Sequence, residues 1–386
     1  MIIKDFADND LYKFTTMFAI QKLYPKAMVK YKFINRGKTV FPEGFAEEFR
    51  KEIDAMKDLQ LSDEMEAYIR KQCYFFDPVF VDFLKGYRFN PNEVCVKQAG
   101  GKLDVTIEGY WYRTVLWEVP LMAIICELYY KMIGAKPINV KEIAIKKAGE
   151  FKKIGAEYSE FGTRRRFSFS VQEEVIQMLK EYSGSFFKGT SNLYFAYKHN
   201  LIPVGTHPHE WFMYHGAIYG YRVANEMGLE AWVDVYQGSL GTALADTYTS
   251  DVFFRSFSLK HAKLFDGIRT DSGDPIEFTN KALDFYRIHK IDPRTKTIVY
   301  SDALNLNMVR KIRKYVNGQI HDVYGIGTFL TNDVGVKPLN IVIKISHAKE
   351  NPEKEYLPTI KLTDAKLKNT GNDQEIELCK RVLNIK

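Results

Sequence analysis

Short apolar segments alternate with helical segments along the second half of the chain. At least seven apolar or β-branched runs follow one another there, and helical stretches come after most of them. The runs end near Phe161, Phe187, Val204, Ala245, Ile268, Tyr300 and Tyr324. Serial strand–helix units are typical of a parallel sheet covered by helices. Because these units fit into roughly 170 residues, the pattern favours an irregular α/β barrel over an open sheet.

The first part of the chain has a different pattern, which mixes helices with antiparallel strands. Leu11, Phe14 and Phe18 recur at helical spacing and predict a helix, which the preceding Asp10 can cap. Residues 29–33 then alternate apolar side chains with lysines, as expected of a half-buried strand. We therefore predict an α/β protein with a second region of α+β character.

Charge and cysteine usage narrow the class of protein. The net charge is +7, but the basic residues are interspersed with acidic ones, and no RNP or zinc-finger pattern occurs. We therefore expect no nucleic-acid binding. The surplus of positive charge suits either a mixed solvated surface or a pocket for phosphorylated substrates. The four cysteines are scattered, and the longest apolar patch, 115–125, is too short to cross a bilayer. We expect a cytoplasmic protein without a membrane segment.

Polar, glycine-containing segments follow the predicted strands. They are residues 160–166, 189–192, 205–215, 245–247, 269–274, 301–302 and 325–328. Loops at the carboxyl ends of strands build the active site of an α/β barrel. We therefore expect all seven segments to meet at one pocket.

Several of these segments suit phosphate or ribose recognition. The turns at 205–206 and 325–328 offer backbone N–H groups near helix starts, although tight strand exits have the same composition. The run 164–166 offers arginine forks for phosphate or carboxylate, or it is a solvated turn. Asp271, Asp274 and Asp302 could accept ribose hydroxyls or hold Mg²⁺, and Asp274 precedes a proline as helix-capping residues do.

Three histidines cluster in one of these segments. His207, His209 and His215 could bind zinc, but no nearby cysteine or HExxH pattern supports a metal site. His215 suits a packed helix, whereas His209 falls in the first turn after a strand. Asp246, at the next strand end, could hold one ring nitrogen of His209 and leave the other free to attack.

Taken in order, these motifs closely resemble the nicotinate phosphoribosyltransferase family. The matching segments are 10–13, 117–120, 161–167, 189–192, 205–211, 271–275, 325–328 and 337–344. The resemblance spans nearly the whole chain and implies a type II phosphoribosyltransferase fold. An irregular α/β barrel over 136–336 would be the catalytic domain, and residues 1–135 with 337–386 would form an α+β domain.

The resemblance also implies an activity. Nicotinate and 5-phosphoribosyl-1-pyrophosphate would give nicotinate mononucleotide and pyrophosphate, a step of NAD biosynthesis. ATP hydrolysis would be coupled to this step through a phosphohistidine at His209, and Mg²⁺ would be required, with ligands that the motifs do not indicate. A homodimer with shared active sites is implied as well, because in this family the tyrosine matching Tyr12 comes from the neighbouring subunit.

The family roles carry over residue by residue. Phe161 and Tyr12 would stack on the two faces of the pyridine ring, and Arg164 would meet the nicotinate carboxylate or the pyrophosphate. Ser191 would donate to nicotinate, since related nicotinamide enzymes carry an Asp there that would repel a carboxylate. The catalytic residues would be His209, Asp246 and Asp271. The phosphoribosyl and phosphate contacts would be Thr206, Arg269, Asp302, Gly325, Gly327 and Thr328.

Two alternatives to this activity are kept. A nicotinamide phosphoribosyltransferase would share most motifs, and a non-catalytic nucleotide-binding barrel would keep the fold. A quinolinate enzyme fits less well, because it needs further basic residues for a second carboxylate and uses no ATP.

Overall fold

Two β-sheets organise the protein, as a computed structural model that describes residues 1–365 and 369–385 shows. The strands are β1 (Met28–Asn35), β2 (Val94–Ala99), β3 (Lys102–Tyr110), β4 (Glu157–Glu160), β5 (Phe187–Thr190), β6 (Thr242–Leu244), β7 (Gly267–Thr270), β8 (Thr297–Tyr300), β9 (His321–Ile326), β10 (Ile341–Lys349) and β11 (Leu357–Pro358). The α-helices are α1 (Leu11–Leu23), α2 (Phe45–Ala55), α3 (Asp63–Gln72), α4 (Pro78–Gly86), α5 (Trp111–Thr114), α6 (Glu118–Met132), α7 (Val140–Ile154), α8 (Phe169–Tyr182), α9 (Leu193–Lys198), α10 (His209–Tyr219), α11 (Ala224–Tyr236), α12 (Ser250–Ser256), α13 (Leu259–Leu264), α14 (Pro275–Ile288), α15 (Leu306–Val316), α16 (Thr328–Thr331) and α17 (Asp373–Leu383).

The larger sheet is parallel and has six strands in the order β5-β4-β9-β8-β7-β6. Helices connect its strands, so the predicted α/β class with a parallel sheet is confirmed. The run ending at Val204 contributes only an isolated bridge between Thr190 and Pro203. Phe187 begins β5 rather than ending it. The strand row has β5 and β6 at its edges, and closure of a complete barrel stays a prediction.

The smaller sheet is antiparallel, with the order β11-β10-β1-β3-β2. Strand β1 lies at its centre and pairs with β10 over its full length, from Met28 opposite Lys349 to Asn35 opposite Ile341. Its burial alternates as predicted, with Tyr31 buried between half-exposed or exposed lysines. A strand from the C-terminal part of the chain therefore completes a sheet begun by the N-terminal part. The domain boundaries near residues 135 and 337 stay a prediction.

Helix α1 is buried on nearly all sides and carries polar residues into the interior. It packs against α5 and α11, and Lys13 is buried together with the apolar Phe14 and Phe18. A helix that lies inside the protein has no solvent face, so the predicted apolar stripe describes only part of its contacts. Asp10 occupies the N-cap position, but its carboxylate makes no capping hydrogen bond.

A continuous hydrophobic core runs between the two sheets. Trp111 of α5 stacks on Tyr214 of α10 with ring centroids 4.3 Å apart, which fixes α10 against the N-terminal part of the chain. Within residues 1–365 and 369–385, no helix has both the length and the apolar character that a bilayer crossing needs.

Candidate active site

A cavity of about 970 Å³ lies where the carboxyl ends of the parallel strands face the antiparallel sheet. Most of the residues predicted to form a site line this cavity. They are Tyr12, Phe161, Arg164, Ser191, His209, Arg269, Asp271, Asp302, Gly327 and Thr328. Six of the seven strand-end segments therefore meet at this cavity as predicted, whereas no residue of the segment 245–247 lines it.

Three predicted residues do not line the cavity. A Cβ on Gly325 would lie 2.5 Å from the ring of Phe161, so this glycine makes room for that ring instead of meeting a phosphate. Thr206 uses its backbone carbonyl to accept a hydrogen bond from Thr15 Oγ1 at 2.9 Å. Asp246 is completely buried behind the cavity wall. The expected phosphate contacts of Gly325 and Thr206 therefore stay predictions that the lining of the cavity does not support.

His209 is the first residue of α10, and both of its ring nitrogens have partners. Nδ1 lies 3.0 Å from Thr247 Oγ1, and Nε2 lies 3.2 Å from Asp271 Oδ2. Asp246 is 3.9 Å from the same Nε2 and accepts a hydrogen bond from Ser272 Oγ at 2.5 Å. Asp271 and Thr247 therefore hold the ring in this structure, and an orienting role of Asp246 stays a prediction.

The protonation of this pair follows from its surroundings. Burial, together with the charge of Lys361, holds the pKa of His209 well below its ordinary value, so the imidazole is neutral. Burial alone would raise the pKa of Asp271, but the hydrogen bond from His209 and the charge of Lys361 outweigh it and lower the pKa well below normal. An ionised carboxylate can only accept, so Nε2 carries the proton and Nδ1 accepts from Thr247. The nucleophilic lone pair of His209 is then on Nδ1.

Two aromatic side chains reach the cavity from different elements. Phe161 follows β4 directly, and Tyr12 comes from the first turn of α1. The guanidinium of Arg164 lies 5.8 Å from the centre of the Tyr12 ring. Because Tyr12 lines the cavity of its own chain, the expectation that it enters from a neighbouring subunit is corrected.

Ser191 has an unexpected partner in Asp10. Its hydroxyl donates to Asp10 Oδ1 at 2.8 Å, and both side chains line the cavity. Burial raises the pKa of Asp10, although the nearby Arg164 opposes that shift. The predicted donation from Ser191 to a substrate carboxylate is therefore replaced here by donation to a carboxylate of the protein. Because the sequence pattern indicated a helix-capping role for Asp10, its contact with Ser191 was not predicted.

The antiparallel sheet contributes a cationic wall that the sequence pattern missed. Arg36 follows the end of β1, Lys344 lies on β10, and Lys361 lies further along the C-terminal part of the chain. Burial lowers the pKa of Lys344 to about 8, against the opposing charge of Glu118. The alternation of apolar residues and lysines along β1 and β10 is typical of a half-solvated strand and does not indicate a binding site. Only the resemblance of the segment 337–344 to the family indicated that this part of the chain contributes to the site.

A buried ion cluster lies beneath this wall. Lys13 Nζ contacts Glu118 Oε2 at 2.5 Å and Glu210 Oε1 at 2.8 Å, and all three side chains are at most 6% exposed. Glu118 begins α6 and Glu210 follows His209, so the cluster joins α1, α6 and α10. These two carboxylates explain why a lysine occupies a buried position of α1.

The other two clustered histidines have structural roles. His207 packs edge-on between Phe212 and Trp232, with centroid distances of 5.0 and 4.9 Å. His215 hydrogen-bonds to Tyr24 through Nε2 at 2.8 Å and to the carbonyl of Trp211 through Nδ1 at 2.7 Å. His215 is thus the packed helix residue that was predicted.

The cavity holds two carboxylates of the kind that could contact a magnesium ion together with a phosphorylated ligand. In the part of the chain that the structure describes, no group of three or more His, Cys, Asp or Glu side chains could hold a metal by itself. Asp271 and Asp302 both line the cavity, and Asp271 is one-third exposed. Mg²⁺ commonly binds through one or two carboxylates together with substrate phosphates and waters.

Comparison with known proteins gives consistent matches. Residues 156–386 match the nicotinate phosphoribosyltransferase (NAPRTase) family, and residues 7–126 match the N-terminal domain of that family. The nicotinate phosphoribosyltransferase of Chromohalobacter salexigens is 49% identical over 379 residues, with 97% of each chain covered. That of Desulforapulum autotrophicum is 48% identical, with 99% of each chain covered.

Solved structures agree with the sequence matches. The crystal structure of nicotinate phosphoribosyltransferase from Porphyromonas gingivalis superimposes with a TM-score of 0.98 at 46% identity and covers 100% of both chains. A putative nicotinate phosphoribosyltransferase from Saccharomyces cerevisiae superimposes with a TM-score of 0.93 at 29% identity, over 100% of this chain and 99% of that one.

Proposed function

The chain belongs to the nicotinate phosphoribosyltransferase family, and we propose that it joins nicotinate to 5-phosphoribosyl-1-pyrophosphate in an ATP-coupled reaction. The products would be nicotinate mononucleotide and pyrophosphate, and the step would serve NAD biosynthesis. One observation carries the proposal. A single cavity holds the neutral His209 beside the ionised Asp271, opposite a wall of arginine and lysine side chains.

The cavity offers suitable contacts for each part of the substrates. Phe161 and Tyr12 present aromatic faces for a pyridine ring, and Arg164 supplies a cation for its carboxylate. Lys344, Lys361 and Arg36 suit the pyrophosphate. Gly327 and Thr328 precede or begin the short helix α16 and suit the 5-phosphate.

The transfer itself needs positioning and charge stabilisation. The C1–oxygen bond to pyrophosphate breaks with both electrons leaving on that oxygen, and the pyridine nitrogen gives its lone pair to C1. Cations around the pyrophosphate stabilise the charge that develops on the leaving group. Asp271 and Asp302 would hold Mg²⁺, which supplies further charge neutralisation at the pyrophosphate when bound.

The geometry of His209 supports the coupling to ATP. Nδ1 would attack the γ-phosphorus of ATP, forming a phosphorus–nitrogen bond while the bond to the ADP oxygen breaks. Thr247 is buried outside the cavity lining, so it must release its hydrogen bond to Nδ1 and the ring must turn towards the cavity for this step. The ring then carries the proton on Nε2 and a positive charge, which the Asp271 carboxylate stabilises. Later attack of water on phosphorus returns His209 and releases phosphate.

A second candidate rests on Ser191. Because its hydroxyl proton is directed to Asp10, its lone pairs are left for the cavity, and these would accept from the amide of nicotinamide. Arg164 favours the acid instead. Product formation from equal concentrations of nicotinate and nicotinamide decides between them. We expect nicotinate to be preferred, and preference for the amide would replace the first proposal by the second.

A non-catalytic nucleotide-binding barrel is the remaining alternative. Incubation with [γ-³²P]ATP tests it, since the proposal expects acid-labile label on His209. Absence of label together with absence of nicotinate mononucleotide would favour the non-catalytic protein. The homodimer also stays a proposal, which sedimentation tests, and Tyr12 no longer supports it. The cytoplasmic location stays a prediction.

A further inference from the structure

The carboxylate of Glu118 lies among three cations that come from three different parts of the fold. Its Oε2 contacts Lys13 Nζ at 2.5 Å, while its Oε1 lies 3.5 Å from Arg164 Nη1 and 3.8 Å from Lys344 Nζ. The Glu118 side chain is only 6% exposed. Charge interactions at these distances are strong where water is largely excluded.

The two oxygens of Glu118 differ in how they are used. Oε2 is engaged by Lys13, which Glu210 also contacts. Oε1 is buried and has no hydrogen-bond partner among the described residues. It faces Arg164 and Lys344 at ion-pair distance without binding either one closely. Both cations therefore feel the negative charge but keep their hydrogen-bond donors available to the cavity.

Arg164 and Lys344 reach the cavity from opposite sheets. Arg164 lies in the short turn Thr163–Arg165 after β4 of the parallel sheet, and Lys344 lies on β10 of the antiparallel sheet. Glu118 is the one carboxylate for which an ion pair with both is seen among the described residues. Three cations, including Lys13, therefore lie around the carboxylates of Glu118 and Glu210.

The charge state of Lys344 depends on this arrangement. Burial lowers the pKa of Lys344 to about 8, Glu118 acts to raise it, and Lys361, Arg164 and Lys13 act to lower it further. Burial alone would raise the pKa of Glu118, but Lys13, Lys344 and Arg164 together lower it, so Glu118 is ionised at neutral pH. Without Glu118, the charges of Lys13, Arg164 and Lys361 would act on Lys344 without this opposing carboxylate.

We propose that Glu118 is a positioning residue that holds Lys344 as a cation beside Arg164, so that the cavity binds a diphosphate group at neutral pH. This inference rests on the proposed function in taking the diphosphate as that of the phosphoribosyl donor or its product. Glu118 touches neither reacting atom, and it acts on diphosphate binding through Lys344, while Arg164 stays available for the nicotinate carboxylate.

Binding of inorganic pyrophosphate, measured by calorimetry between pH 6 and 9, tests the proposal without requiring turnover. In the natural protein the affinity should fall above about pH 8, where free Lys344 loses its proton. In E118Q the fall should begin at least about one pH unit lower, because removing a charge at this distance lowers the pKa of Lys344. At pH 7.5 E118Q should bind about 3-fold more weakly than the natural protein, and the difference should grow to about 10-fold near pH 9 and shrink towards pH 6.

Two further variants separate this role from a structural one. E210Q removes the other carboxylate that pairs with Lys13 but leaves the contacts of Glu118 with Arg164 and Lys344. Its pH midpoint should therefore match that of the natural protein. K344R keeps a full charge at all these pH values, since arginine does not deprotonate. It should remove the decline above pH 8 in both the natural and the E118Q backgrounds.

The outcomes are distinct. Equal pH midpoints for E118Q and the natural protein, or equal shifts in E118Q and E210Q, would overturn the proposal. If E118Q does not fold, K344R alone decides: a persistent decline above pH 8 in K344R would contradict it. Pyrophosphate binding with the expected pH shift, in a protein that makes no nicotinate mononucleotide, would instead contradict the proposed function and leave the role of Glu118 supported.

Discussion

The two walls of the cavity differ in their chemistry. The wall built by the ends of the parallel strands carries His209 and Asp271, whose ring nitrogen and carboxylate are already paired in a defined protonation state. The wall built by the antiparallel sheet carries Lys344 and Arg36, which offer charge without a reactive lone pair. Under the proposed function, the first wall would make the bond to phosphorus and the second would hold anions. The difference predicts that variants on the first wall change rates, whereas variants on the second change affinities.

Removal of the nucleophile should have the largest effect. H209A should abolish phosphorylation by ATP and uncouple ATP use from product, leaving only slow turnover without ATP. The ratio of ADP to nicotinate mononucleotide measures this. H347A serves as the matched control because His347 is exposed on β10. Stoichiometric coupling retained in H209A would place the nucleophile elsewhere.

A change of Asp271, the hydrogen-bond partner of the His209 ring, should have the second-largest effect. D271N should slow phosphohistidine formation by about 100-fold, because an amide can no longer stabilise the positively charged ring and can favour the wrong tautomer. Rapid-quench measurement of protein-bound ³²P follows this step. D274N is a suitable control, since Asp274 only caps α14, as its hydrogen bonds to Ile276 and Glu277 show. An unchanged rate in D271N would argue against the assigned tautomer.

A change of Arg164, which lies between the two walls, should lower the affinity for nicotinate. R164M should raise the KM for nicotinate by about 10- to 100-fold, because it removes a cation from beside a carboxylate. Steady-state kinetics at saturating ATP measure it. R310M is the control, since Arg310 pairs with Glu150 on the surface, where such pairs contribute little. A loss confined to kcat would show that Arg164 acts on the transition state instead.

The smallest effect is expected from a change of Asp10, which accepts a hydrogen bond from Ser191. D10N removes a carboxylate from beside the substrate carboxylate, while its amide oxygen can still accept from Ser191. The preference for nicotinate over nicotinamide should therefore rise, by up to about 10-fold. The ratio of the two kcat/KM values gives the answer. A shift towards nicotinamide would mean that the charge of Asp10 helps to select the acid.

The parallel-strand wall was the more predictable of the two. Glycine, histidine and aspartate at strand ends are local signals, so the amino-acid sequence alone assigns Phe161, His209, Asp271 and Asp302 to one pocket. The partner of His209 could not be assigned this way. Asp246 and Thr247 are adjacent, and the direction each side chain takes after β6 decides which one reaches the ring.

The antiparallel wall depends on contacts distant in sequence. Lys344 on β10 has the alternating pattern of any half-solvated strand, and only the pairing of β10 with β1 brings it to the cavity. Ser191 and Asp10 are 181 residues apart. The sequence therefore predicted that the Ser191 hydroxyl donates a hydrogen bond, but it could not identify Asp10 as the acceptor. Tyr12 lines the cavity of its own chain because α1 is buried beside Ser191, whose carbonyl accepts from Leu11 N.

Product formation with and without ATP tests the central claim most directly. The purified protein is incubated with nicotinate, 5-phosphoribosyl-1-pyrophosphate and Mg²⁺, and nicotinate mononucleotide, pyrophosphate and ADP are quantified. We predict equal amounts of nicotinate mononucleotide and pyrophosphate, with ATP increasing the yield and one ADP formed for each product. Absence of nicotinate mononucleotide under both conditions, or a yield indifferent to ATP with no ADP formed, would contradict the account.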